Sequence, residues 1–258
     1  MNLTGKVALV TGAAQGIGEA VVRILGEYGV QVVAVDKNIT VLDKLVFDLT
    51  AKGIFIKAFV ADVRDSACVE DVVNQIENEM GPIEILVNVA GILRMSPIDS
   101  LSDEEWNEVF SVNSNGVFYV SRSVSRRMMS RKSGSIVTVG SNAASVPRMH
   151  MSAYAASKAA ATMFTKCLGL EMAKYNVRCN LVSPGSTDTE MQRQLWTDEN
   201  GVKKMIAGSQ DTYRLGIPLN KIATPSEIAE VVLFLVSDKA SHITMHNLCI
   251  DGGATLGV

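Results

Sequence analysis

The chain has 258 residues, of which 47% are hydrophobic and only 5% aromatic, and its formal net charge is −3 at pH 7. This length and composition predict one α/β domain over residues 1–258, with an aliphatic core suited to a buried parallel sheet. The slightly acidic balance excludes a general attraction to nucleic acid or to an anionic membrane surface.

The cysteines, the histidines and the apolar segments further narrow the class of protein. The four cysteines contain no C-x-x-C pair, so we expect reduced thiols. His242 and His246 are four residues apart but flank a short β-branched segment, and we predict no metal site. The chain enters a strand-like segment at once, leaving no room for a signal peptide, and no apolar run is long enough to span a membrane. A cytoplasmic protein is expected.

The first predicted strand runs from Lys6 to Thr11 and is followed directly by a glycine-rich turn. This turn opens a helix that reaches about Tyr28. A turn between a strand and a helix N-terminus can bind phosphate, because the backbone N–H groups and the helix dipole favour negative charge. A lone glycine turn is weak evidence, but its strand-to-helix context strengthens it. We predict that the turn binds a dinucleotide through Gly12, Gln15, Gly16, Ile17 and Gly18.

The second strand, residues 31–35, is followed by Asp36. A carboxylate at this place accepts hydrogen bonds from an adenosine ribose diol and repels a 2′-phosphate. The residue therefore favours NAD over NADP, although the neighbouring Lys37 would soften that discrimination. A simple turn at the strand end is the alternative role for Asp36.

The middle of the chain continues to alternate helix and strand. Ser66 is the predicted N-cap of a helix to about Met80, and Ser102 with Glu105 forms a capping-box pattern at the start of another. The latter helix should reach past Asn113. The other segments are a helix over 39–51, a strand over 54–60 that ends before Asp62 and Val63, and a strand over 85–87 that ends in Asn88-Val89-Ala90-Gly91.

A fifth strand, residues 135–140, delivers Ser141 at its carboxyl end, where open α/β sheets bind ligands. The helix that follows, to about Lys174, contains Tyr154 and Lys158 one turn apart. Residues at that spacing share a helix face, and a lysine cation near a phenol lowers its pKa, so Tyr154 is a candidate general base. Taken alone, the pair could equally be an ordinary half-buried contact.

The remaining elements complete a doubly wound, mostly parallel sheet of about seven strands with helices on both faces. A sixth strand over 177–182 leads to the turn 183–189, and a polar, irregular segment over 190–214 is the predicted substrate lid. A helix over 225–236 and a last strand over 247–250 follow.

These features together resemble the short-chain dehydrogenase/reductase family over the whole chain. The resemblance is carried by T-G-x-x-x-G-x-G at residues 11–18, by an N-N-A-G turn in which Val89 replaces the second asparagine, and by Y-x-x-x-K at Tyr154 and Lys158. The resemblance implies a Rossmann-type, NAD-dependent dehydrogenase that forms a homotetramer built partly on the helices around Asn113 and Tyr154.

The resemblance also implies roles for individual residues. Tyr154 would take the proton of an alcohol, Ser141 would bond the same oxygen, Lys158 would hold the ribose, and Asn113 would complete a proton relay through water. Further cofactor contacts would come from Asp62 and Val63 at the adenine, Asn88, Ala90 and Gly91 in the floor, Tyr154 and Lys158, and Pro184, Gly185, Thr187 and Thr189 near the nicotinamide.

Three arginines fall on loops at the carboxyl edge of the sheet, namely Arg94, Arg148 and Arg193. A guanidinium matches a carboxylate, so a small anionic substrate is favoured, although each arginine alone could be an ordinary surface residue. At least one should contact the substrate, with Arg148 preferred because it closely precedes Tyr154. The other predicted substrate contacts are Ser141, Met151, Gln192 and Trp196, with Met95 and Met191 either lining a flat ring or filling the core.

Two alternatives remain open at this stage. The chain could be a different dehydrogenase of the same fold acting on a polyol, a steroid or a 3-hydroxyacyl group. It could also be a cofactor-binding sensor without chemistry, although such proteins usually lose the tyrosine or the lysine that this chain keeps.

Overall fold

The computed structural model describes residues 2–196 and 198–257. Met1, Thr197 and Val258, which the predicted domain and lid include, lie outside the described residues. Seven strands form one sheet in the order β3-β2-β1-β4-β5-β6-β7, and every neighbouring pair is parallel. The predicted doubly wound sheet is confirmed. Its strands are β1 (Val7–Thr11), β2 (Gln31–Asp36), β3 (Ile56–Val60), β4 (Ile83–Asn88), β5 (Gly134–Val139), β6 (Val177–Pro184) and β7 (Asn247–Ile250).

Helices connect the strands and cover both faces of the sheet. A π-helical stretch, Ser111–Gly116, joins two of them into one interrupted helix. The α-helices are α1 (Gly16–Glu27), α2 (Ile39–Thr50), α3 (Ser66–Met80), α4 (Asp103–Phe110), α5 (Val117–Arg131), α6 (Ser152–Met172), α7 (Glu190–Arg193), α8 (Gly201–Ala207) and α9 (Pro225–Val236).

The alternation of side chains along β1 shows how the two core layers arise. Ala8 and Val10 face one layer, which is closed by α1, α2 and α9. Val7 and Leu9 face the other, which is closed by α3, α5 and the end of α6. Because successive strand residues point to opposite faces, a strand that is apolar throughout must be covered on both sides.

The strand order reverses between β1 and β4, and this reversal positions the site. From β1 the chain moves outward through β2 and β3, and it then returns to β4 on the other side of β1. The loops after β1 and β4 therefore diverge at the carboxyl edge and open a crevice, where sheets of this kind bind ligands.

Several local predictions differ from the structure, including the strand over 54–60, which begins only at Ile56, and the strand over 177–182, which continues to Pro184. The N-cap of α3 is Asp65, whose carboxylate accepts the N–H groups of Ala67 and Cys68, because aspartate is a preferred N-cap residue and its negative charge is favourable at a helix N-terminus. Strand β4 starts two residues early, and Glu84, which interrupts the apolar run, lies at a shift in register with β1. The segment predicted to be irregular contains α7 and α8.

Within the described ranges, no helix has both the length and the apolar character needed to cross a bilayer.

Candidate active site

A cavity of about 540 Å³ lies at the carboxyl edge of the sheet. Its wall includes the glycine turn after β1 as well as Ser141, Tyr154 and Lys158. The structure thus brings the predicted dinucleotide turn and the predicted acid–base residues to one continuous space.

The glycine turn is built so that side chains are excluded from it. Gly12 and Gly16 have φ angles of +65° and +59°, which favour glycine. A Cβ atom on Gly18 would stand 2.0 Å from the Gly12 carbonyl oxygen. At the start of α1, the N-cap residue Gln15 makes no side-chain capping bond. The first-turn N–H groups are left to a ligand, and the turn fits a pyrophosphate.

Asp36, the last residue of β2, bonds the backbone of this turn. One of its carboxylate oxygens accepts the Ala14 N–H at 3.1 Å, and the other accepts the Asn38 N–H at 3.1 Å. Each oxygen keeps a lone pair for a further donor. Asp36 and Lys37 both line the cavity, so the residues present suit a ribose diol.

The predicted adenine contacts lie next to an ion pair. Asp62 bonds Arg64 at 2.6 Å, and this bond holds the pKa of Asp62 below its usual value. Asp62, Val63 and Arg64 line the cavity. Asp62 therefore faces the cavity and also, through its bond to Arg64, holds this part of the wall in place.

The turn after β4 depends on Thr11, the last residue of β1 and the threonine of the T-G-x-x-x-G-x-G motif. Its hydroxyl oxygen accepts the N–H groups of Val89 and Ala90 at 3.2 and 3.3 Å. Asn88, a predicted cofactor contact, is 2% exposed and donates to Ser121 at 2.9 Å. Val89, Ala90 and Gly91 line the cavity while Asn88 is not among its lining residues, so Asn88 supports the turn from behind.

Tyr154 and Lys158 project from the first turns of α6. The Lys158 ammonium lies 5.9 Å from the Tyr154 ring centroid and donates to the Val139 carbonyl at 2.9 Å. Burial lowers the pKa of Lys158 to about 8. Lys158 is thereby held by α6 and β5 together, with its charge facing the cavity.

The pKa of Tyr154 departs from the predicted direction. Burial raises it, and the hydrogen bond with Ser141 only partly opposes that change. The prediction considered the lysine cation alone, whereas removing a phenolate from water outweighs the bond from the serine. Ser141 itself is 8% exposed and accepts the Ala143 N–H at 3.2 Å, which fixes its side chain toward the tyrosine.

Asn113 lies in the π-helical stretch and is fully buried. Its side-chain oxygen accepts the Ile92 N–H at 2.9 Å, and its amide donates to the Ile92 carbonyl and to the Ser157 hydroxyl. A Cβ on Gly91 would approach both the Asn113 oxygen and the Lys158 nitrogen to 3.3 and 3.4 Å. The asparagine therefore clamps the turn after β4 against α6.

The turn after β6 supplies another part of the cavity wall. Gly185 donates to the Ile250 carbonyl at 2.9 Å, and Thr189 caps α7 by accepting the Gln192 N–H at 3.2 Å. Pro184, Gly185, Thr187 and Thr189 all line the cavity as the family pattern implied.

The predicted substrate contacts divide into two groups. Arg148, Met151 and Gln192 line the cavity, as do Met95 and Met191. Arg94 pairs with Glu108 at 3.1 Å, Arg193 pairs with Asp188 at 2.8 Å, and Trp196 packs against Gly201 in the lid. These last three are not among the lining residues of the cavity, and their contact with substrate stays a prediction.

The cavity also contains Arg214, Ser186 and Met205, which the sequence analysis missed. Arg214 donates to the Ser186 hydroxyl at 2.9 Å. No sequence signal marks this arginine, since it lies in an irregular segment far along the chain from the catalytic motifs. The fold of the lid brings it back to the turn after β6.

Comparison with known proteins relates this site to a family. Residues 6–200 match the family model described as short chain dehydrogenase. The chain is 65% identical over 257 residues to the 2,3-dihydro-2,3-dihydroxybenzoate dehydrogenase of Bacillus subtilis (strain 168), covering 100% of this chain and 98% of that one. It is 44% identical to the protein of the same name from Escherichia coli (strain K12), covering 100% of each. A solved structure, described as the crystal structure of gox2181, superimposes with a TM-score of 0.92 at 32% identity, covering 99% of this chain and 97% of that one.

Proposed function

Because the chain belongs to the short-chain dehydrogenase family, we propose that it oxidises 2,3-dihydro-2,3-dihydroxybenzoate to 2,3-dihydroxybenzoate with NAD, as a step of catecholate siderophore biosynthesis. The observation that carries this proposal is the full-length identity to the Bacillus subtilis enzyme of that name. The same substrate is favoured by the resemblance of residues 91–95, 147–148, 151–154, 182–189, 191–193, 215–219 and 251–257 to 2,3-dihydro-2,3-dihydroxybenzoate dehydrogenases.

A nicotinamide cofactor follows from the family, and Asp36 supports NAD as the form used. Its carboxylate already accepts two backbone N–H groups, which fix its position in the cavity wall. Two unit charges about 4 Å apart repel by roughly 4 kcal/mol at a surface-like dielectric. A 2′-phosphate beside Asp36 is therefore disfavoured, with Lys37 reducing the penalty.

The residues of the chain provide the proton transfer. Tyr154 takes the proton of the ring alcohol, and Ser141 bonds the same oxygen and orients it. Lys158 holds the ribose and Asn113 fixes the adjoining turn, so the carbinol carbon is held in place for transfer. Bound NAD supplies the hydride acceptor and a positive charge that favours the phenolate. The ketone formed on the ring tautomerises to the aromatic product, which makes the oxidation strongly favourable.

The substrate is a small molecule, a carboxylated cyclohexadiene diol, and Arg148 is the proposed contact for its carboxylate. Arg148 lines the same cavity as Tyr154, whereas Arg94 and Arg193 each have a carboxylate partner within the protein. Met151 and Met191 would pack on the ring, and Gln192 would bond a hydroxyl.

The assembly and location are also proposals. We infer a homotetramer in the cytoplasm, without nucleic acid or membrane partners. Exposed apolar side chains on the α5 and α6 surface support the assembly: Phe118 is 37% exposed, Met163 59% and Leu170 69%.

The test is the rate of NADH formation by the purified protein with 2,3-dihydro-2,3-dihydroxybenzoate and NAD. NADP and a panel of neutral alcohols run beside it. Turnover confined to NAD and the dihydrodiol acid is expected. Activity on neutral alcohols alone would contradict the proposed substrate but not the proposed acid–base residues. Inactivity on every substrate would favour a non-catalytic cofactor-binding protein.

A further inference from the structure

Two guanidinium groups from distant parts of the chain face the same cavity. Arg148 belongs to the loop that precedes α6, and Arg214 belongs to the end of the lid segment. Both are partly buried. Arg148 lies close enough to Arg214 for its positive charge to lower the pKa of Arg214, in addition to the larger effect of burial.

Neither of these arginines has an ion pair within the ranges that the structure describes. By contrast, Arg94, Arg131 and Arg193 each bind a carboxylate. Asp251 attracts Arg148 at longer range, but its own oxygens accept bonds from Asn142, Gly253 and Thr255. The two cations are partly buried and neither binds a carboxylate of the described residues, which is unfavourable. A bound anion would compensate their charge.

Arg214 is held in place before any ligand binds. Its backbone exchanges two hydrogen bonds with Ser209, each 2.8 Å long. Its side chain donates to the Ser186 hydroxyl and contacts the Met205 sulfur at 2.8 Å. A guanidinium has five N–H donors in a planar fork, so donors remain for a ligand in the cavity. A side chain so fixed loses little further conformational freedom on binding.

We propose that Arg214 determines substrate specificity, acting with Arg148 as a pair of guanidinium groups that bind the substrate carboxylate from two sides. This inference rests on the proposed function, since it assigns the carboxylate of that substrate to a second residue. The lid segment then has a direct bond to the substrate, and a neutral alcohol would leave both cations uncompensated.

The experiment compares Arg214→Gln, Arg148→Gln and the double variant with the unaltered protein. Lys203→Gln is the matched control, because it removes one positive charge from an exposed residue of the same lid. Rates are measured with 2,3-dihydro-2,3-dihydroxybenzoate and with the cyclohexadiene diol that lacks the carboxylate. Calorimetry of 2,3-dihydroxybenzoate with the NAD-loaded protein gives a second readout that does not need turnover.

For Arg214→Gln, we expect KM for the acid and Kd for 2,3-dihydroxybenzoate to rise by roughly 10- to 100-fold, as for loss of a hydrogen bond to a charged group. The preference for the acid over the neutral diol should fall by a similar factor. Arg214→Lys should recover part of the affinity, and Lys203→Gln should leave both values unchanged. The double variant should lose less than the product of the two single effects, because both residues bind one group.

Three results separate the possible failures. If the unaltered protein oxidises the acid and Arg214→Gln does so with unchanged KM and Kd, the role of Arg214 is wrong. An equal loss on the acid and on the neutral diol would also overturn it, since that indicates a structural role. If the unaltered protein does not use the acid, the proposed function itself fails.

Should Arg214→Gln not fold, Ser186→Ala provides a second test, because it removes the bond that orients the Arg214 guanidinium. An unchanged Kd for 2,3-dihydroxybenzoate in Ser186→Ala would overturn the inference.

Discussion

At the scale of single residues, the site contains two ionisable groups whose charged forms are both disfavoured by burial. The pKa of Lys158 is lowered to about 8, and that of Tyr154 is raised. Near neutral pH the lysine is still mostly a cation, while the tyrosine keeps its proton. The phenolate needed for the proposed reaction would therefore be favoured by the positive charge of an oxidised nicotinamide cofactor in the same cavity.

Replacing Tyr154 with phenylalanine tests the proposed base. We expect kcat to fall by about 10²- to 10⁴-fold, the usual contribution of a positioned acid–base group. The dissociation constant for NAD, measured by fluorescence titration, should change little because the ring remains. Tyr28→Phe, at an exposed tyrosine, serves as the control. Full activity of Tyr154→Phe would remove the assignment.

The burial of Lys158 predicts a pH dependence of stability. The unfolded chain keeps this proton up to about pH 10.5, whereas the folded protein loses it near pH 8. Between those values the unfolded state binds more protons, so the contribution of Lys158 to stability rises with pH. Relative to Lys158→Met, the unaltered protein should gain about 1 kcal/mol in free energy of unfolding from pH 7 to pH 9.

Urea unfolding of the cofactor-free protein at both pH values provides this measurement. Lys52→Met, at an exposed lysine, controls for loss of a charge, and its difference from the unaltered protein should be flat. A flat difference for Lys158→Met as well would contradict the burial of the ammonium.

At the scale of elements, the strand-to-helix turn after β1 leaves little room for an added side chain. A Cβ on Gly18 would meet the Gly12 carbonyl oxygen at 2.0 Å, so the turn itself must move. Gly53, between α2 and β3, has a φ of +76° but nothing within 4 Å of an added Cβ. The two glycines thus separate crowding from backbone strain.

Alanine at these two positions should give different results. Gly18→Ala should cost about 1–3 kcal/mol of stability through overpacking and raise the dissociation constant for NAD at least roughly tenfold. Gly53→Ala should cost about 1–2 kcal/mol, the usual strain of a left-handed residue, and leave NAD affinity unchanged. Thermal melting of both variants gives the loss of stability, and NAD titration gives the change in affinity. Equal NAD affinity in the two variants would contradict binding of the pyrophosphate by the glycine turn.

Element boundaries were predictable where one signal dominated. Ser102 and Glu105 form the predicted capping box of α4, since the glutamate three residues after the serine distinguishes Ser102 from the adjacent Asp103. At α3 the adjacent Asp65 and Ser66 both suit an N-cap, and the sequence could not rank them. The lid helices α7 and α8 are short and mostly polar at their surface, so their pattern carried no period to detect.

At the scale of the whole molecule, the proposed tetramer would cover the surface of α5 and α6. Replacing Leu170, which is 69% exposed, with glutamate should place a charge in that contact and shift the mass seen by light scattering to smaller species. Phe47→Glu, on α2 and 75% exposed, is the control and should not change the mass. A tetramer that survives Leu170→Glu would place the contact elsewhere.

The site as a whole was predictable only in part, and the arginines show why. Motif spacing placed the glycine turn, Ser141, Tyr154 and Lys158 at one edge because parallel strands share a direction. It could not show that Glu108 and Asp188 bind Arg94 and Arg193. Nor could it show that the lid returns Arg214 to Ser186. Contacts of this kind depend on how loops pack, which local patterns do not encode.

The bond from Asn142 to Asp251 links residues 109 positions apart, and it bears on how the protein is made. Asn142 follows Ser141, while Asp251 follows β7 and meets Gly185 in the cavity wall. At roughly 5–20 residues per second, about 5 to 20 s of translation separate the two. The glycine turn, Ser141 and Tyr154 are therefore synthesised well before the residues that complete this wall. The finished pocket therefore appears late in synthesis, because α9 and the residue that completes this wall are among the last parts of the chain to be made.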